Sequence, residues 1–217
     1  MTAALGPFVP PEPGAQHYYD QVGSPIGPLL LTGREDALTG LYMLNGPHGA
    51  GAPVPTGARR EQAVFATVTA QLAAYFDGDQ TGFDVPLSPT GSAFQLDVWA
   101  ELTRIPYGTT ISYGTLARRL GKPLSASRAV GAANGQNPIS IIVPCHRVIG
   151  ADGSLTGYGG GLDRKETLLR LEKAPAMAAL DERLQHGPAL RRGIVVLDGI
   201  TNPANVGMIL RLSLIHI

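Results

Sequence analysis

Cysteine is nearly absent from this sequence of 217 residues, because Cys145 is the only one. A single cysteine cannot close a disulfide within the chain, and it cannot supply the several thiolates of a multi-cysteine zinc site. We therefore expect a reducing compartment and no zinc site of the multi-cysteine kind. Free cysteines are mostly buried and inert, but His146 follows this one directly. A thiol beside a potential base is also a candidate nucleophile.

Long apolar runs are also missing. No stretch of about 18 apolar residues occurs, and the first seven residues lack a basic region followed by an apolar segment. We expect neither membrane insertion nor export, and hence a cytoplasmic protein. With 44% hydrophobic residues, the chain can bury one large core or the cores of two compact domains.

Net charge is absent overall, since 17 Lys and Arg balance 17 Asp and Glu, but the charges are distributed unevenly. Residues 1–90 carry 3 basic and 8 acidic residues, a net charge of −5, and residues 91–173 carry 10 and 6, a net charge of +4. The remainder carries 4 and 3. This asymmetry favours a polyanion-binding domain fused to a non-binding one, although four charges alone are weak evidence.

The first 90 residues carry strand patterns. Residues 17–22, 27–32 and 38–44 alternate or run apolar between turn residues, which predicts a small antiparallel sheet. The glycine- and proline-rich residues 46–57 predict a loop. Apolar residues at helical spacing over 64–76 then predict a helix that covers the sheet. A series of turn residues after this helix places a domain boundary near residue 90.

The second half is predicted to be mostly helical. Apolar spacing indicates a helix over residues 92–103, a short helix within 111–120, and a helix that starts after an N-cap at Ser125 and reaches Asn134. The last two resemble a helix-turn-helix. Nearly every side chain after Arg128 in the last helix is small, which allows close approach to something large; tight packing against another helix is the commoner explanation.

The segment before the cysteine is apolar. Residues 139–143 are predicted to form a buried strand that presents Cys145 at its end. Successive side chains of a strand point to opposite faces. Cys145 and His146 therefore cannot share a direct hydrogen bond unless the backbone turns or a water bridges them.

The run Pro144-Cys145-His146-Arg147-Val148, with other motifs across residues 16–173, resembles the O6-alkylguanine-DNA alkyltransferase family. The resemblance implies an α/β (α+β) fold: a small antiparallel sheet with a helix, RNase H-like, in residues 1–90, then a helical, winged helix-turn-helix-like catalytic domain in residues 91–173. It implies irreversible transfer of an alkyl group from O6-alkylguanine, or O4-alkylthymine, to the cysteine. No cofactor is implied, and no metal is expected, because the cysteines of the zinc site found in some members are absent. The implied partner is double-stranded DNA, and the implied state is a monomer.

The resemblance also assigns chemical roles. Cys145 is the alkyl acceptor, His146 its water-relayed base, and Glu172 the carboxylate that orients the histidine. Asn137 hydrogen-bonds near the thiol, and Tyr113 donates to guanine N3 as the base leaves. Apolar spacing predicts an amphipathic helix over residues 162–172. By residue type alone, Glu172 is a glutamate at the end of this helix and Asn137 is a turn residue.

Contacts with DNA and with the alkyl group are implied at further positions. The DNA-contacting residues are Ser112, Arg128, Ala129 and Gly131, and Arg128 fills the gap left by the extruded nucleotide. The substrate pocket is lined by Val148, Tyr158 and Gly159, the last where many members carry serine. Arg147 is implied to be structural, and Lys165 to have a supporting role.

The C-terminal residues carry a different pattern. Residues 193–211, with Asn205 and Arg211, resemble the first motif of the SpoU (TrmH-like) RNA ribose methyltransferases. That family needs S-adenosylmethionine-binding loops further on, so we expect residues 174–217 to be an incomplete fragment without this activity.

Two other functional classes remain open. A module that binds alkylated DNA without repairing it would replace the cysteine, and a cysteine hydrolase would need an oxyanion hole.

Overall fold

The computed structural model describes residues 7–44 and 53–186. Residues up to Asp181 belong to one compact unit. Its strands are β1 (Tyr18–Val22), β2 (Leu29–Gly33), β3 (Leu38–Met43), β4 (Arg59–Arg60), β5 (Ile111–Ser112) and β6 (Val148–Ile149). The helices are α1 (Ala66–Asp77), α2 (Ala93–Leu102), α3 (Tyr113–Arg119), α4 (Ser127–Gly135), α5 (Leu162–Leu171) and α6 (Pro175–His186). The predicted SpoU-like motif, residues 193–211, lies outside the described residues.

The N-terminal sheet has the strand order β3-β2-β1-β4. Its first three strands pair antiparallel, which confirms the predicted small antiparallel sheet. The two-residue strand β4 adds parallel to β1 and is too short to give a sequence pattern. Helix α1 buries Val68, Leu72 and Tyr75. It ends at Gly78, whose φ of 82° lies in the left-handed region that glycine favours.

The outer edge of β3 is hydrogen-bonded to two other segments. Leu38 N donates to Pro86 O, and Ser88 N donates to Leu38 O. Further along the strand, Leu41 N donates to Pro138 O at 2.8 Å and Ser140 N donates to Leu41 O at 3.0 Å. The edge of the N-terminal sheet therefore holds the segment that leads to Cys145.

Helices α2, α3 and α4 form the helix-turn-helix region. Ser92 and Gln95 form a capping box that starts α2, and the Ser112 side chain caps α3. The predicted N-cap at Ser125 is wrong, because residues Leu124–Ala126 form a 3₁₀ turn before α4. Trp99 Nε1 donates to Ala133 O at 2.8 Å and ties α2 to α4.

The predicted strand over residues 139–143 is also wrong. Only Ile139 makes a β-bridge, to Leu41, and the chain then turns, with Ile141 in the left-handed region at φ 71°. Asn137 supplies bonds that a neighbouring strand would otherwise provide: its side chain accepts from Ile139 N and donates to Val143 O. A short apolar run indicates that a segment is buried, and it is compatible with both a strand and a buried turn. The sequence pattern therefore could not distinguish these two structures.

The last elements enclose a smaller core. Strands β5 and β6 pair parallel, and α5 matches the predicted helix over residues 162–172. Helix α6 was not predicted; its residue Met177 packs with Ile149, Leu169 and Ala174. Within the described ranges, no helix combines the length and apolarity needed to cross a membrane.

Candidate active site

Cys145 opens a 3₁₀ turn, Cys145–Arg147, and is 4% exposed. Asn137 Nδ2 donates to its Sγ at 3.1 Å, and Asn134 Nδ2 donates to its carbonyl oxygen at 3.3 Å. Burial raises the pKa of the Cys145 thiol, while the bond from Asn137 and the positive charge of Lys165 act in the opposite direction. The thiol is therefore fixed in place but largely protonated at neutral pH.

The His146 ring is fully buried against Glu172. Its Nε2 lies 2.9 Å from Glu172 Oε1. A carboxylate only accepts, so Nε2 carries the hydrogen, and Nδ1 is the basic nitrogen of the neutral ring. Nδ1 has no hydrogen-bond partner in the part of the chain that the structure describes. Burial lowers the pKa of His146 despite the opposing effect of Glu172, which keeps the ring neutral and able to accept a proton.

The buried Glu172 carboxylate accepts hydrogen bonds from several residues. Arg147 donates to both carboxylate oxygens, from Nε and Nη2, each at 2.9 Å. Tyr75 Oη donates to Oε1 at 2.8 Å, and Gly108 N donates to Oε2 at 3.3 Å. Burial opposes ionisation, but the bonds from His146 and Arg147 outweigh it and lower the pKa of Glu172 to about 2. The carboxylate is thus a buried, permanent negative charge next to the histidine.

Lys165 is buried on the other side of the site. Its Nζ donates to Val148 O at 2.6 Å and to Thr156 O at 2.7 Å. Burial lowers the pKa of Lys165 to about 8, while the nearby Cys145 opposes the shift. Val148 itself is fully buried in β6, so the structure assigns it a carbonyl bonded by Lys165 and no exposed pocket surface.

A cavity of about 280 Å³ opens onto the cysteine. It is lined by the predicted residues Asn137, Cys145, Tyr158 and Gly159 together with Tyr42, Met43, Pro53, Asn134, Gly135, Gln136, Pro138, Ser140 and Gly160. A Cβ placed on Gly159 would lie 3.5 Å from Gly135 O, an ordinary contact. The structure therefore brings the predicted nucleophile, its asparagine and two of the three predicted pocket residues to one cavity.

An open groove of about 770 Å³ is lined by residues of α3, of α4 and the turn before it, and of the loop around Gly157. It is lined by Tyr113, Leu124, Ser125, Ser127, Arg128, Gly131, Thr156 and Gly157. The Tyr113 hydroxyl donates to Thr156 O at 3.1 Å and to Gly157 O at 3.2 Å. Arg128 and Ala129 are exposed. Ser112 is half-buried at the start of α3, where its Oγ accepts from Thr115 N.

Besides the unpredicted residues of the cavity wall, Tyr75, Gly108 and Asn134 make hydrogen bonds to the site that were not predicted. Tyr75 and Gly108 bond to Glu172 from 97 and 64 residues away in sequence, and no local pattern marks such a contact. Asn134, by contrast, could have been noticed in the sequence, because it is a polar residue in a helix of mostly small side chains. In the structure it is 1% exposed. No group of three or more His, Cys, Asp or Glu side chains able to hold a metal occurs among the described residues.

Known proteins share this arrangement of sequence and fold. The methylated-DNA–protein-cysteine methyltransferase of Mycolicibacterium paratuberculosis is 54% identical over 162 residues, covering 75% of this chain and 96% of the relative. The protein of the same name from Methanosarcina acetivorans is 51% identical over 155 residues, covering 71% and 97%. The crystal structure of Mycobacterium tuberculosis OGT in complex with DNA matches with a TM-score of 0.67 and 51% identity, covering 76% of this chain and 99% of that chain.

Family models match both parts of the chain. The model described as 6-O-methylguanine DNA methyltransferase, ribonuclease-like domain, matches residues 17–89, and the DNA binding domain of the same family matches residues 93–174. Together with relatives that are more than half identical over nearly their whole length, these matches show that the chain belongs to the 6-O-methylguanine DNA methyltransferase family.

Proposed function

We propose that this chain repairs O6-alkylguanine in DNA by moving the alkyl group onto Cys145, once per molecule. The observation that carries the proposal is the thiol itself. It lies on a cavity of about 280 Å³, bonded to Asn137, and it is followed by a neutral histidine bound to an ionised Glu172. Membership of a family whose relatives bear the methyltransferase name supports the same reaction.

The reaction balances without a cofactor. Cys145 Sγ attacks the alkyl carbon, the bond from that carbon to guanine O6 breaks, and a carbon–sulfur bond forms. The electron pair of the broken bond stays on the guanine. The thiol loses one proton and the guanine gains one, and the thioether product leaves no thiolate for a second turnover.

His146 is the residue that we assign to accept the thiol proton. Nδ1 is the unprotonated nitrogen because Glu172 holds the hydrogen on Nε2. Among the described residues His146 Nδ1 has no hydrogen-bond partner and so makes no direct bond to Cys145 Sγ, and we assign the proton transfer to a bridging water. The imidazolium formed this way is stabilised by Glu172.

Tyr113 is the residue that we assign to the leaving base. Its hydroxyl donates to two backbone carbonyls in the free protein, at Thr156 and Gly157. One of these bonds must be exchanged for guanine N3 when the base enters. A hydrogen bond to N3 stabilises the negative charge that develops on the base as its bond to the alkyl carbon breaks.

DNA is proposed to bind along the groove of α3 and α4. The alkyl group of a paired guanine is inside the base stack, so the nucleotide must be extruded at a cost of a few kcal/mol. Arg128 is exposed at this groove and is proposed to fill the space that the base leaves. Gly131 lines the groove and adds little bulk, and Ala129 is exposed on the same helix. The solved DNA complex of the Mycobacterium tuberculosis relative supports this partner.

The remaining assignments follow from the same proposal. We propose a division near residue 90 into an N-terminal α/β domain and a DNA-binding catalytic domain, acting as a cytoplasmic monomer. The net charge of +4 in residues 91–173, against −5 in residues 1–90, supports this division.

The test uses a duplex with one isotope-labelled O6-methylguanine. We expect one label per protein molecule, on Cys145, and none with Cys145→Ser, which still binds the duplex. Binding by the wild type without transfer would indicate a lesion-binding module instead. Repeated turnover of an ester or peptide would indicate a cysteine hydrolase, and an O4-methylthymine duplex tests the second lesion.

A further inference from the structure

One contact to the active site comes from the N-terminal part of the chain. Tyr75 lies in the last turn of α1 and is fully buried. Its hydroxyl donates to Glu172 Oε1 at 2.8 Å, across 97 residues of sequence. The same oxygen accepts from His146 Nε2 and from Arg147 Nη2, each at 2.9 Å. Tyr75 and His146 therefore share one acceptor atom.

The packing fixes this hydroxyl. The Tyr75 ring lies edge-on to the rings of Phe76 and Tyr107, with distances of 5.4 Å and 6.1 Å between ring centroids. It is tilted against the Phe83 ring, at a centroid distance of 5.3 Å. Burial and the neighbouring Glu172 raise the pKa of Tyr75, so its hydroxyl remains a donor over the working pH range. A buried donor with one partner and a rigid ring has no alternative position.

A donor on Oε1 changes what this oxygen offers to histidine. Each hydrogen bond that a carboxylate accepts spreads its charge and weakens it as an acceptor for the others. The Tyr75 bond therefore limits how strongly Glu172 can hold the His146 imidazolium. Without it, His146 would become more basic and would be protonated at a higher pH.

We propose that Tyr75 is a positioning residue for alkyl transfer, which acts through Glu172 to set the basicity of His146. This inference rests on the proposed function. It gives the ribonuclease-like part of the chain an indirect influence on the chemistry, through Glu172, beside its backbone bonds to the segment before Cys145.

The other ionisable groups near His146 and Tyr75 are the same in the wild type and in Tyr75→Phe. Arg147 and Lys165 both disfavour the His146 imidazolium, and Glu172 favours it. The further titratable neighbours are Cys145, which faces Lys165, and Tyr107 and Tyr158, which face Tyr75. Tyr75→Phe leaves all of these side chains in place.

The experiment measures the single-turnover transfer rate between pH 5 and 9 for wild type and Tyr75→Phe, with the labelled O6-methylguanine duplex. We expect the acidic limb of the Tyr75→Phe profile to move to higher pH by about half a unit or more, the effect of one hydrogen bond to a buried charge. The ratio of variant to wild-type rate then falls as the pH is lowered.

Tyr107→Phe is the matched control. It removes a hydroxyl from the same aromatic cluster, but that hydroxyl donates to Leu171 O at 3.2 Å and not to Glu172. We expect its acidic limb to coincide with that of the wild type. If Tyr75→Phe and Tyr107→Phe shift the limb equally, the effect is one of packing and the inference is wrong.

A second substitution covers the case in which Tyr75→Phe does not fold. A fluorinated tyrosine at position 75 keeps the ring and strengthens the donor, so the limb should move to lower pH. An unmoved limb in every folded variant overturns the inference. Absence of transfer by the wild type overturns the proposed function instead, so the two failures are distinct.

Discussion

The buried ion pair between Glu172 and Arg147 gives the sharpest stability prediction. Both side chains are less than one-tenth exposed, and two hydrogen bonds of 2.9 Å join them. Removing one partner leaves the other charge buried without compensation, which costs about 3 to 5 kcal/mol. Removing both leaves no such charge. We therefore expect Glu172→Gln and Arg147→Met to be strongly non-additive.

The size of the coupling can be estimated from Glu172. Its pKa falls from the ordinary 4.5 to about 2, and a shift of this size corresponds to about 3 kcal/mol of net stabilisation of the ionised form. His146 and Arg147 supply this stabilisation against the cost of burial, and Arg147 makes two of the bonds. We expect the double variant to be about 2 to 3 kcal/mol more stable than the sum of the single losses predicts.

The assay is urea unfolding at pH 7.5, followed by the fluorescence of Trp99, the only tryptophan, which is 1% exposed. Glu166→Gln is the matched control, because Glu166 is paired with Arg170 at 2.8 Å but is 40% exposed. The free energy of unfolding of Glu166→Gln should fall by less than about 1 kcal/mol. Additive losses in this double-mutant cycle would show that the charges of Glu172 and Arg147 are not coupled.

The same pair predicts a pH dependence with a definite sign. A carboxylate with a lowered pKa stabilises the folded state fully above its unfolded pKa, near 4.5, and this contribution declines as the pH falls towards about 2. In the folded protein, the Glu172 carboxyl carbon should therefore show no NMR titration midpoint above pH 3. A midpoint near 4.5 would contradict the network described.

Three further predictions concern the cavity and the groove. Asn137→Ala removes the 3.1 Å donor to Cys145 Sγ, so the thiol pKa should rise, as measured by the pH dependence of iodoacetamide alkylation, with a stability loss of about 1 to 3 kcal/mol. An unchanged alkylation profile would contradict this. Gly159→Ser should change the unfolding free energy by less than about 0.5 kcal/mol, because its Cβ meets only Gly135 O at 3.5 Å, and should slow transfer from O6-benzylguanine more than from O6-methylguanine. Equal slowing would show that this wall does not limit the pocket. Arg128→Ala should weaken binding about tenfold for a paired lesion and less for an unpaired one, whose extrusion costs less; equal losses in a gel-shift titration would argue against its role in extrusion.

Local patterns predicted most of the fold. Strands β1 and β3 and helices α1, α2 and α5 follow from apolar periodicity and caps, and the fully buried strand β2 follows from its continuous apolar run. The turn over residues 139–143 was wrongly predicted as a strand. Its shape depends on bonds from the Asn137 side chain and from the edge of β3, which the apolar pattern of the segment itself does not show. The start of α4 was predicted too early, because the 3₁₀ turn before it has no distinctive pattern.

The candidate site was predicted where its residues belong to one motif. The structure joins Asn137 to Cys145 and His146 to Glu172, and Arg147, expected to be structural, is a bidentate partner of the Glu172 carboxylate. Tyr75 could not be predicted in this role. In the sequence it is one of several apolar positions of a helix, and only the folded chain brings its hydroxyl to Glu172.

The burial of the Cys145 thiol also bears on how long an unused molecule lasts. Oxidants such as hydrogen peroxide, and disulfides such as oxidised glutathione, react with the thiolate and need access to the sulfur. The Cys145 side chain is 4% exposed, and burial raises the pKa of its thiol. Oxidants and disulfides therefore find little thiolate and little access to the sulfur. For a protein that acts once, the same burial that slows wasteful side reactions preserves each copy until damaged DNA reaches it.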